Sequence, residues 1–477
     1  MKENPPVSKV RAAKLEFYRK KGKVHAKTIS GRYNNLRWAM VWLTQIIFYG
    51  ACWLSWHTPS GDSRQAILFD IGERKLYFFG LVLWPQDALL LAFVLIIAAI
   101  ALFFATALAG RVFCGFACPQ TVYTSIFVWI ERKIEGDHLD RLRLDQGPWT
   151  ARKVALKSAK HLVWAIFALW TGITFVGYFI PIKDLLPLTA GFELGPWASF
   201  WLVFYALFTY VQAGLAREAV CQHMCPYSRF QSAMIDFDTK TVTYDQQRGE
   251  PRGVRRKDDN VKGDCVDCGI CVQVCPTGID IRDGLQYECI NCGLCIDGCD
   301  EVMDKVGSPR GLIRFMSEND AAAQGATQGT KLRKPKPWWS RPRTLVYISL
   351  LLVCTLLSAF MLATRSTLRV EVLRDRGALL QETAEGRIEN SYTVKLINMD
   401  ESDRQFDIQA SGLPGLAIEG KRHFKVAASS VHNASLTLSA PYDGSLKGVQ
   451  SIVFEAVASD DATLAVNEAT TFILPFN

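Results

Sequence analysis

The apolar residues of this 477-residue chain are concentrated in five stretches, each long enough to cross a lipid bilayer. A helix needs ~20 apolar residues to span the hydrocarbon core, and none of the five stretches contains Asp, Glu, Lys or Arg. The first stretch follows a long basic segment, which argues against a cleaved signal peptide. The predicted spans are Trp38–Trp56, Ala88–Ala109, His161–Ile182, Gly195–Ala216 and Thr344–Ala363.

The distribution of positive charge predicts how these spans are oriented. Lys and Arg number 11 in residues 1–37 but only 3 in residues 57–87, and rich and poor connections continue to alternate along the chain. Connections rich in Lys and Arg remain in the cytoplasm. We therefore expect a multi-pass protein of the bacterial inner membrane, with its N-terminus inside and its C-terminus in the periplasm. The net charge of +8 is then an orientation signal and an attraction to membrane lipid.

Fourteen cysteines are present, and none of them lies in residues 364–477, the segment predicted to be outside. Structural disulfides persist in oxidising compartments, so this distribution disfavours a disulfide framework. Reduced cysteines on the cytoplasmic side are typical of metal ligands or redox groups.

The predicted fold class is a multi-domain membrane protein. An α-helical transmembrane bundle of five spans carries an inserted two-cluster ferredoxin-like α+β domain and a C-terminal immunoglobulin-like β-sandwich. The predicted domains are a basic cytoplasmic tail (1–37), a four-helix membrane region with the first C-x3-C-P motif (38–216), a cytoplasmic loop with the second such motif and the ferredoxin-like domain (217–316, core 260–304), a flexible basic linker (317–342), a fifth transmembrane helix (343–363) and the periplasmic domain (364–477).

The β-sandwich is predicted from seven short alternating runs, separated by turn-forming residues. Elsewhere, the apolar and aromatic segment Gln120–Ile130 is too short to span a bilayer and is expected to lie in the membrane interface.

The large inner loop contains the strongest motif. Its two cysteine runs share the spacing C-x2-C-x2-C-x3-C of bacterial ferredoxins, with Pro276 after the first and Asp300 after the second. In that fold the fourth cysteine of each run ligates the other cluster. We expect two 4Fe–4S clusters, the alternative being two structural zinc sites. The predicted ligands are Cys265, Cys268, Cys271 and Cys299 for cluster one, and Cys289, Cys292, Cys295 and Cys275 for cluster two.

A second cysteine motif, C-x3-C-P, occurs twice, each time after a span that ends inside. Cysteines four residues apart share one face of a helix, and the following Pro can begin a new helix. Two hairpins packed side by side would bring four thiols together at the membrane surface. The alternative is that these cysteines only ease helix packing. The predicted catalytic thiols are Cys114, Cys118, Cys221 and Cys225.

Other residues give weaker signals. His223 lies between two of these cysteines, and Cys52 and His57 lie near the outer end of the first span. Each is a copper or quinone contact or a structural residue, and the sequence does not decide between these. Cys354 is predicted to serve only in packing, against lipid or a neighbouring helix. No nucleotide-binding motif and no nucleic-acid site is present, so the electron donor is expected to be a protein or a quinol.

Together, the five spans, both C-x3-C-P motifs, the ferredoxin runs and the β-sandwich resemble the FixG/CcoG family (also RdxA) of cytochrome oxidase accessory proteins. The resemblance implies a membrane-bound cupric reductase that makes Cu(I) for assembly of a high-affinity haem–copper oxidase. It also implies a copper chaperone or copper transporter as partner. A second resemblance, to membrane polyferredoxins, implies a quinol-linked donor to a partner reductase. An assembly scaffold is the third hypothesis.

The chemistry of the thiols agrees with copper as the substrate. Cu(I) is soft and prefers thiolate or thioether ligands, whereas Cu(II) suits nitrogen and oxygen ligands. Cu(II) held beside four thiolates is therefore poised for reduction.

Overall fold

The computed structural model describes residues 24–59, 61–253, 263–320, 337–375, 380–383, 386–442, 446–460 and 464–475. Most of the predicted basic tail and of the predicted linker 317–342 lies outside these ranges. The chain forms two compact units. The first comprises Met1–Val41, Ala105–Trp164 and Tyr210–Pro337, and the second comprises Trp42–Phe104, Ala165–Thr209 and Trp338–Asn477.

The described α-helices include both long apolar helices and short helices that follow cysteine motifs. They are α1 (Arg32–Gly50), α2 (Ala88–Ala109), α3 (Val112–Phe116), α4 (Pro119–Glu135), α5 (His138–Gln146), α6 (Ala151–Val176), α7 (Ile182–Ala190), α8 (Pro196–Thr209), α9 (Pro226–Met234), α10 (Gln246–Gly249), α11 (Ile270–Gln273), α12 (Leu294–Val306) and α13 (Pro342–Ala363). Two π-helical segments, Tyr210–Ala216 and Val220–Met224, follow α8.

Five helical segments of the described chain are long and apolar enough to cross a membrane: Pro85–Ala109, Val112–Glu135, Ala151–Val176, Pro196–Ala216 and Pro342–Ala363. Four of them contain or overlap predicted spans. The first predicted span, Trp38–Trp56, is not among these five segments, and the helix in this region, α1, begins at Arg32 and ends at Gly50. The segment Gln120–Ile130, which was expected to be too short to span, lies within Val112–Glu135. This longer segment arises because α3 and α4 follow each other with a break only at Ala117 and Cys118.

Short strands precede α2, in a region where no β-structure was predicted. They are β1 (Ser55–His57), β2 (Ser63–Gln65), β3 (Ile67–Asp70), β4 (Lys75–Phe78) and β5 (Leu81–Leu83). They form a two-stranded and a three-stranded sheet. Their polar side chains reach the C-terminal domain within the second unit: Trp56 Nε1 donates to Glu401 at 3.2 Å, and Lys75 Nζ donates to the Ser429 carbonyl at 2.9 Å.

The C-terminal domain is the predicted β-sandwich. One sheet has the order β12-β14-β10-β8, with β9 paired to β10, and the other has the order β13-β11-β15-β16. Inward-facing apolar side chains from both sheets, such as Leu396, Phe406 and Phe454, form one buried core. The strands are β8 (Leu368–Arg374), β9 (Gln381–Glu382), β10 (Arg387–Asn398), β11 (Arg404–Ser411), β12 (Ala417–Glu419), β13 (His423–Val426), β14 (Val431–Pro441), β15 (Val449–Ala458) and β16 (Ala465–Ile473).

In the first unit, the cysteine-rich insert is bracketed by β6 (Thr241–Tyr244) and β7 (Ile313–Met316), which pair antiparallel. The insert also caps α1. Asp297, on α12, accepts hydrogen bonds from the backbone amides of Tyr33 and Asn34 at 3.1 and 2.7 Å. These amides lie in the first turn of α1, where they have no intrahelical acceptor. A carboxylate at this position also suits the positive end of the helix dipole, so α1 and the insert stabilise each other.

A buried ion-pair network holds α4 in the first unit. Glu131, which is 0% exposed, lies 2.7 Å from Arg217 and 3.4 Å from both Arg141 and Lys160. Lys160 also pairs with Glu135 at 2.8 Å. Buried charges are tolerated when several partners compensate them, but removing one partner leaves uncompensated charge.

We therefore expect Glu131→Gln to destabilise the protein by ~3–5 kcal/mol, because the cations around this carboxylate lose their anion. Thermal unfolding of the purified protein, followed by circular dichroism, should show a clearly lower midpoint. The matched control is Glu301→Gln, which removes an exposed pair with Lys305 and should cost at most ~0.5 kcal/mol. Equal midpoints for the two variants would contradict a structural role for the network.

Candidate functional site

The two ferredoxin-like runs adopt the same backbone conformation. Gly269 and Gly293 have φ of +67° and +73° and begin α11 and α12. Two residues earlier in each run, Asp267 and Asn291 have φ of +55° and +51°. Glycine reaches the left-handed region freely, and Asp and Asn are the side chains that tolerate it best. Each run thus makes two tight bends that turn its cysteines inward.

The cysteines line two cavities, and their division between the cavities follows the predicted crossed pattern. A cavity of about 330 Å³ is lined by Cys265, Cys268, Cys271 and Cys299. A second cavity, of about 350 Å³, is lined by Cys271, Cys275, Cys289, Cys292 and Cys295. The fourth cysteine of each run therefore faces the cavity of the other run, and only Cys271 borders both. This donor set fits two 4Fe–4S clusters, each held by four thiolates.

Single metal ions fit these donors less well. In the described part of the chain, no three His, Cys, Asp or Glu side chains converge closely enough to share one ion. Four thiolates around one zinc ion, at Zn–S distances of about 2.3 Å, would have to converge in this way. The cysteines instead stand around the walls of each cavity, as a larger inorganic core requires.

Burial favours the protonated form of several insert thiols in the absence of metal. Desolvation raises the pKa of Cys289 and of Cys299 to about 12, and that of Cys271 to about 11. Metal ligation requires the thiolate, so binding releases these protons. Cluster retention is therefore favoured by rising pH and opposed by falling pH.

Each C-x3-C-P motif forms a corner between two helical segments. Cys114 lies in α3, and Cys118 is the N-cap of α4, which begins with Pro119. In the second motif, Cys221 lies in a π-helical segment, and Cys225 is the N-cap of α9, which begins with Pro. The prediction that Pro begins a new helix is confirmed. The two thiols of each pair straddle the corner, however, and do not lie on one continuous α-helical face.

The structure brings the four thiols of these motifs into one cluster. Cys221 interacts electrostatically with Cys118, Cys114 and Cys225, and burial, with a smaller contribution from these neighbours, raises its pKa to about 12. Cys114 is buried, whereas the other three are half-buried. The four do not converge on one point, so they form a group of neighbouring thiols at one surface.

Arg111 lies between this thiol cluster and cluster two's cysteines. It is 3% exposed, and its electrostatic partners include Cys114, Cys221 and Cys289. Its Nε donates to Gln231 at 3.2 Å, and its Nη1 donates to the carbonyls of Tyr287 and Cys289. The same Gln231 oxygen accepts a hydrogen bond from Cys114 Sγ at 3.1 Å. One buried cation therefore contacts both groups of thiols.

Gly115, inside the first C-x3-C-P motif, packs directly against the backbone of the second ferredoxin run. A Cβ at this position would lie 2.6 Å from the Ile290 carbonyl oxygen and 3.0 Å from Cys292 Cα. Nearby, Asn291 Nδ2 donates to the Ala109 carbonyl at 3.2 Å. The absence of a side chain at Gly115 thus allows the first C-x3-C-P motif to pack closely against the second ferredoxin-like run.

Several candidates from the sequence do not join this site. His223 and His57 are exposed. Cys52 is buried in the second unit, where its thiol donates to the Tyr49 carbonyl at 3.4 Å. Cys354 lies in α13, which also belongs to the second unit. Sequence analysis in turn missed Arg111, although a lone Arg between an apolar span and a cysteine motif is a recognisable signal.

Three family models match the chain. Residues 216–318 match a 4Fe-4S dicluster domain, residues 91–136 match a 4Fe-4S binding domain, and residues 358–475 match the "IG-like fold at C-terminal of FixG". The second of these matches includes Cys114 and Cys118. Both C-x3-C-P motifs therefore lie in segments that are similar to iron–sulfur proteins.

Curated relatives cover most of the chain. The nitrogen fixation protein FixG of Rhizobium meliloti is 38% identical over 432 residues, which are 85% of this chain and 82% of FixG. Protein RdxB of Cereibacter sphaeroides is 38% identical over 427 residues, 88% of each chain. Protein RdxA of the same organism is 38% identical over 457 residues, 94% of this chain and 95% of RdxA.

The Gly115 contact leads to a direct test. Gly115→Ala should force the first C-x3-C-P motif away from residues 290–292, because the new methyl group meets backbone, which cannot rotate away. Overpacking of this kind costs ~1–3 kcal/mol, and the thermal midpoint should fall accordingly. Gly195→Ala is the control, since a Cβ there meets nothing within 4 Å. If both variants unfold at the parent's midpoint, the contact is not tight.

Proposed function

Since the chain belongs to the FixG family and is an iron–sulfur oxidoreductase, we propose that it reduces Cu(II) to Cu(I) for assembly of a haem–copper oxidase. The observation that carries this proposal is the approach of the C-x3-C-P thiols to cluster two's cysteines, through Gly115 and Arg111. Thiols attract the soft product ion, and a neighbouring electron store makes each reduction repeatable.

The residues of the insert have defined roles in this proposal. Cys265, Cys268, Cys271 and Cys299 would hold one cluster, and Cys289, Cys292, Cys295 and Cys275 would hold the other. When bound, 4Fe–4S clusters supply electrons one at a time, and each reduction of Cu(II) consumes one electron. Apolar side chains such as Ile281 and Ile296 pack around the insert cysteines. They would limit the access of solvent to a bound cluster.

The C-x3-C-P thiols bind the substrate in this proposal. Cys114, Cys118, Cys221 and Cys225 offer soft donors to copper, and a thiol must lose its proton to bind it. Burial raises the pKa of Cys221, and the nearby Arg111 guanidinium offsets only part of this effect. The product, Cu(I) on thiolates, suits transfer to a thiolate chaperone or a copper transporter.

The two units support the proposed orientation. The first unit holds the segments that were predicted to be cytoplasmic, including 110–160 and the insert, and the second holds 57–87 and 364–477. Within the second unit, Arg365 and Asp87 form an ion pair at 2.7 Å. The connection before α2 and the C-terminal domain therefore lie on the same side of the membrane, which we propose is the periplasm.

If the four thiols act as one site, removing either pair should be as damaging as removing both, since residues acting as a unit are non-additive. The variants are Cys114→Ala with Cys118→Ala, Cys221→Ala with Cys225→Ala, and the quadruple change. Each is purified anaerobically, reduced with dithionite and freed of excess dithionite. It is then mixed with Cu(II), and Cu(I) is trapped with a colorimetric chelator. We expect an equal collapse of Cu(I) formation in all three.

The iron content is the control in this comparison. It should stay near the parent's about eight irons per chain, as two 4Fe–4S clusters require, because the insert cysteines are unchanged. Half the activity in each double variant would mean two separate sites. Full activity in all three would show that these thiols are not the site of copper reduction. Reduction of a partner reductase without any Cu(I) would favour the quinol-linked donor instead.

Topology can be tested with a reporter that is active only outside the cytoplasm. Fused after Asn477, it should be active, and fused near Asp259, it should be silent, because the positively charged connections remain inside. A matched reporter that is active only in the cytoplasm should give the opposite pattern. The reverse outcome would place the insert in the periplasm and remove the basis for a reduced thiol site.

A further inference from the structure

A cavity that is partly open to solvent, with about 880 Å³ of empty space including the solvent at its opening, lies in the first unit beside cluster two's cysteines. Its walls come from the segment before α1, from α1, from α4 and from the insert. Among its lining residues, Val274 and Pro276 flank Cys275, and Leu294 lies between Cys292 and Cys295. The cavity thus shares a wall with the cluster-two site, but its lining includes none of the cysteines.

One part of the cavity lining is apolar and aromatic. Trp38 and Val41 of α1 face the cavity, as do Val128 and Trp129 of α4. Indole rings and branched aliphatic side chains suit a flat ring with an apolar tail.

The polar part of the lining offers unused hydrogen-bond donors. Only 9% of Arg37 is exposed, and its Nε has no hydrogen-bond partner. Its Nη2 donates to Ser125 at 2.8 Å, which holds the guanidinium in place. Arg141 is 1% exposed, and its Nε also lacks a partner. Buried donors without acceptors are costly, so this cavity is suited to a ligand with acceptor oxygens.

Arg37 also connects the cavity to the redox site. Its guanidinium lies within electrostatic range of Cys275 and Cys292, two of the thiols that would hold cluster two. A buried cation there stabilises the added negative charge of a reduced cluster. A ligand oxygen bound to Arg37 would therefore lie close to an electron acceptor.

We propose that this cavity binds the head group of a membrane quinol, the electron donor of the protein. A quinol has an aromatic ring for the tryptophan walls, oxygens for the two arginines and an apolar tail. Its oxidation to the quinone releases two electrons, which pass to the clusters, and two protons, which pass to the Glu218 carboxylate in the cavity lining and to solvent. The two electrons match two 4Fe–4S clusters that accept one electron each. An anionic lipid head group would also pair with the arginines. It has no aromatic ring for the tryptophan walls, however, and its binding would not explain the position of the cavity beside a redox site.

This inference rests on the proposed function for its electron acceptor, and its test has a readout that is independent of copper. The purified full-length protein is photolabelled with an azido-quinone, with decylubiquinone as competitor, and the labelled peptides are mapped. We expect label in the peptides that contain Trp38 or Trp129. Arg37→Gln and Trp129→Leu should each weaken decylubiquinone competition by about tenfold or more, because a charged donor or a stacking wall is lost.

Matched controls are available on the same helical region. Arg143→Gln and Trp149→Leu change exposed side chains, 79% and 76% exposed respectively, and should leave competition unchanged. Decylubiquinol should also reduce the clusters of the parent, as seen by their visible absorption, faster than those of either cavity variant. If Arg37→Gln loses iron, the Trp129→Leu variant decides the test alone.

Three outcomes would overturn the proposal. The first is label that maps away from the cavity. The second is decylubiquinone competition that is unchanged in both cavity variants. The third is displacement of the label by anionic phospholipid but not by decylubiquinone, which would make the cavity a lipid site. Dithionite-driven formation of Cu(I) separates the two proposals, because it tests the thiol site without any quinol.

Discussion

The contact of Gly115 with the backbone of residues 290–292 sets the distance between the two kinds of cysteine motif. Because glycine has no Cβ, a corner between two helical segments can rest directly on the ferredoxin-like run. Arg111 lies beside this contact and interacts with thiols of both motifs. The repetition of C-x3-C-P then has a structural reason, since each motif supplies one corner and two corners surround one group of thiols.

Buried charge organises the remainder of the first unit. Asp297 caps α1 from the insert, and Glu131 compensates three cations around α4. Such groups are costly unless they are paired, so they specify one arrangement of helices around the insert. The same arrangement leaves Arg37 between the 880 Å³ cavity and the cluster-two thiols. Electron entry and electron exit are thereby both proposed beside cluster two's cysteines.

Sequence spacing predicted the chemistry of the site better than its geometry. The ferredoxin spacing predicted the crossed division of cysteines, because the fold couples the fourth cysteine of each run to the other run. Hydropathy located most of the long helices but misplaced α1, since Arg32 and Arg37 interrupt its apolar pattern. Arg37 is nevertheless buried and donates to Ser125 of α4. The strands in 55–83 were missed because they are only three or four residues long and depend on partners such as Glu401. The role of Gly115 follows from a tertiary contact that no local pattern encodes, whereas Arg111 could have been found from its position between an apolar span and a cysteine motif.

The central claim is that electrons held by the insert reach copper through the C-x3-C-P thiols. Freeze-quench electron paramagnetic resonance tests it most directly. Dithionite-reduced protein, freed of excess dithionite, is mixed with two equivalents of Cu(II), one for each reduced cluster, and both the reduced-cluster signal and the Cu(II) signal are followed. In the parent the two signals should disappear together, whereas in the Cys114→Ala, Cys118→Ala variant the cluster signal should persist. Decay of the cluster signal at the parent's rate in that variant would contradict the account.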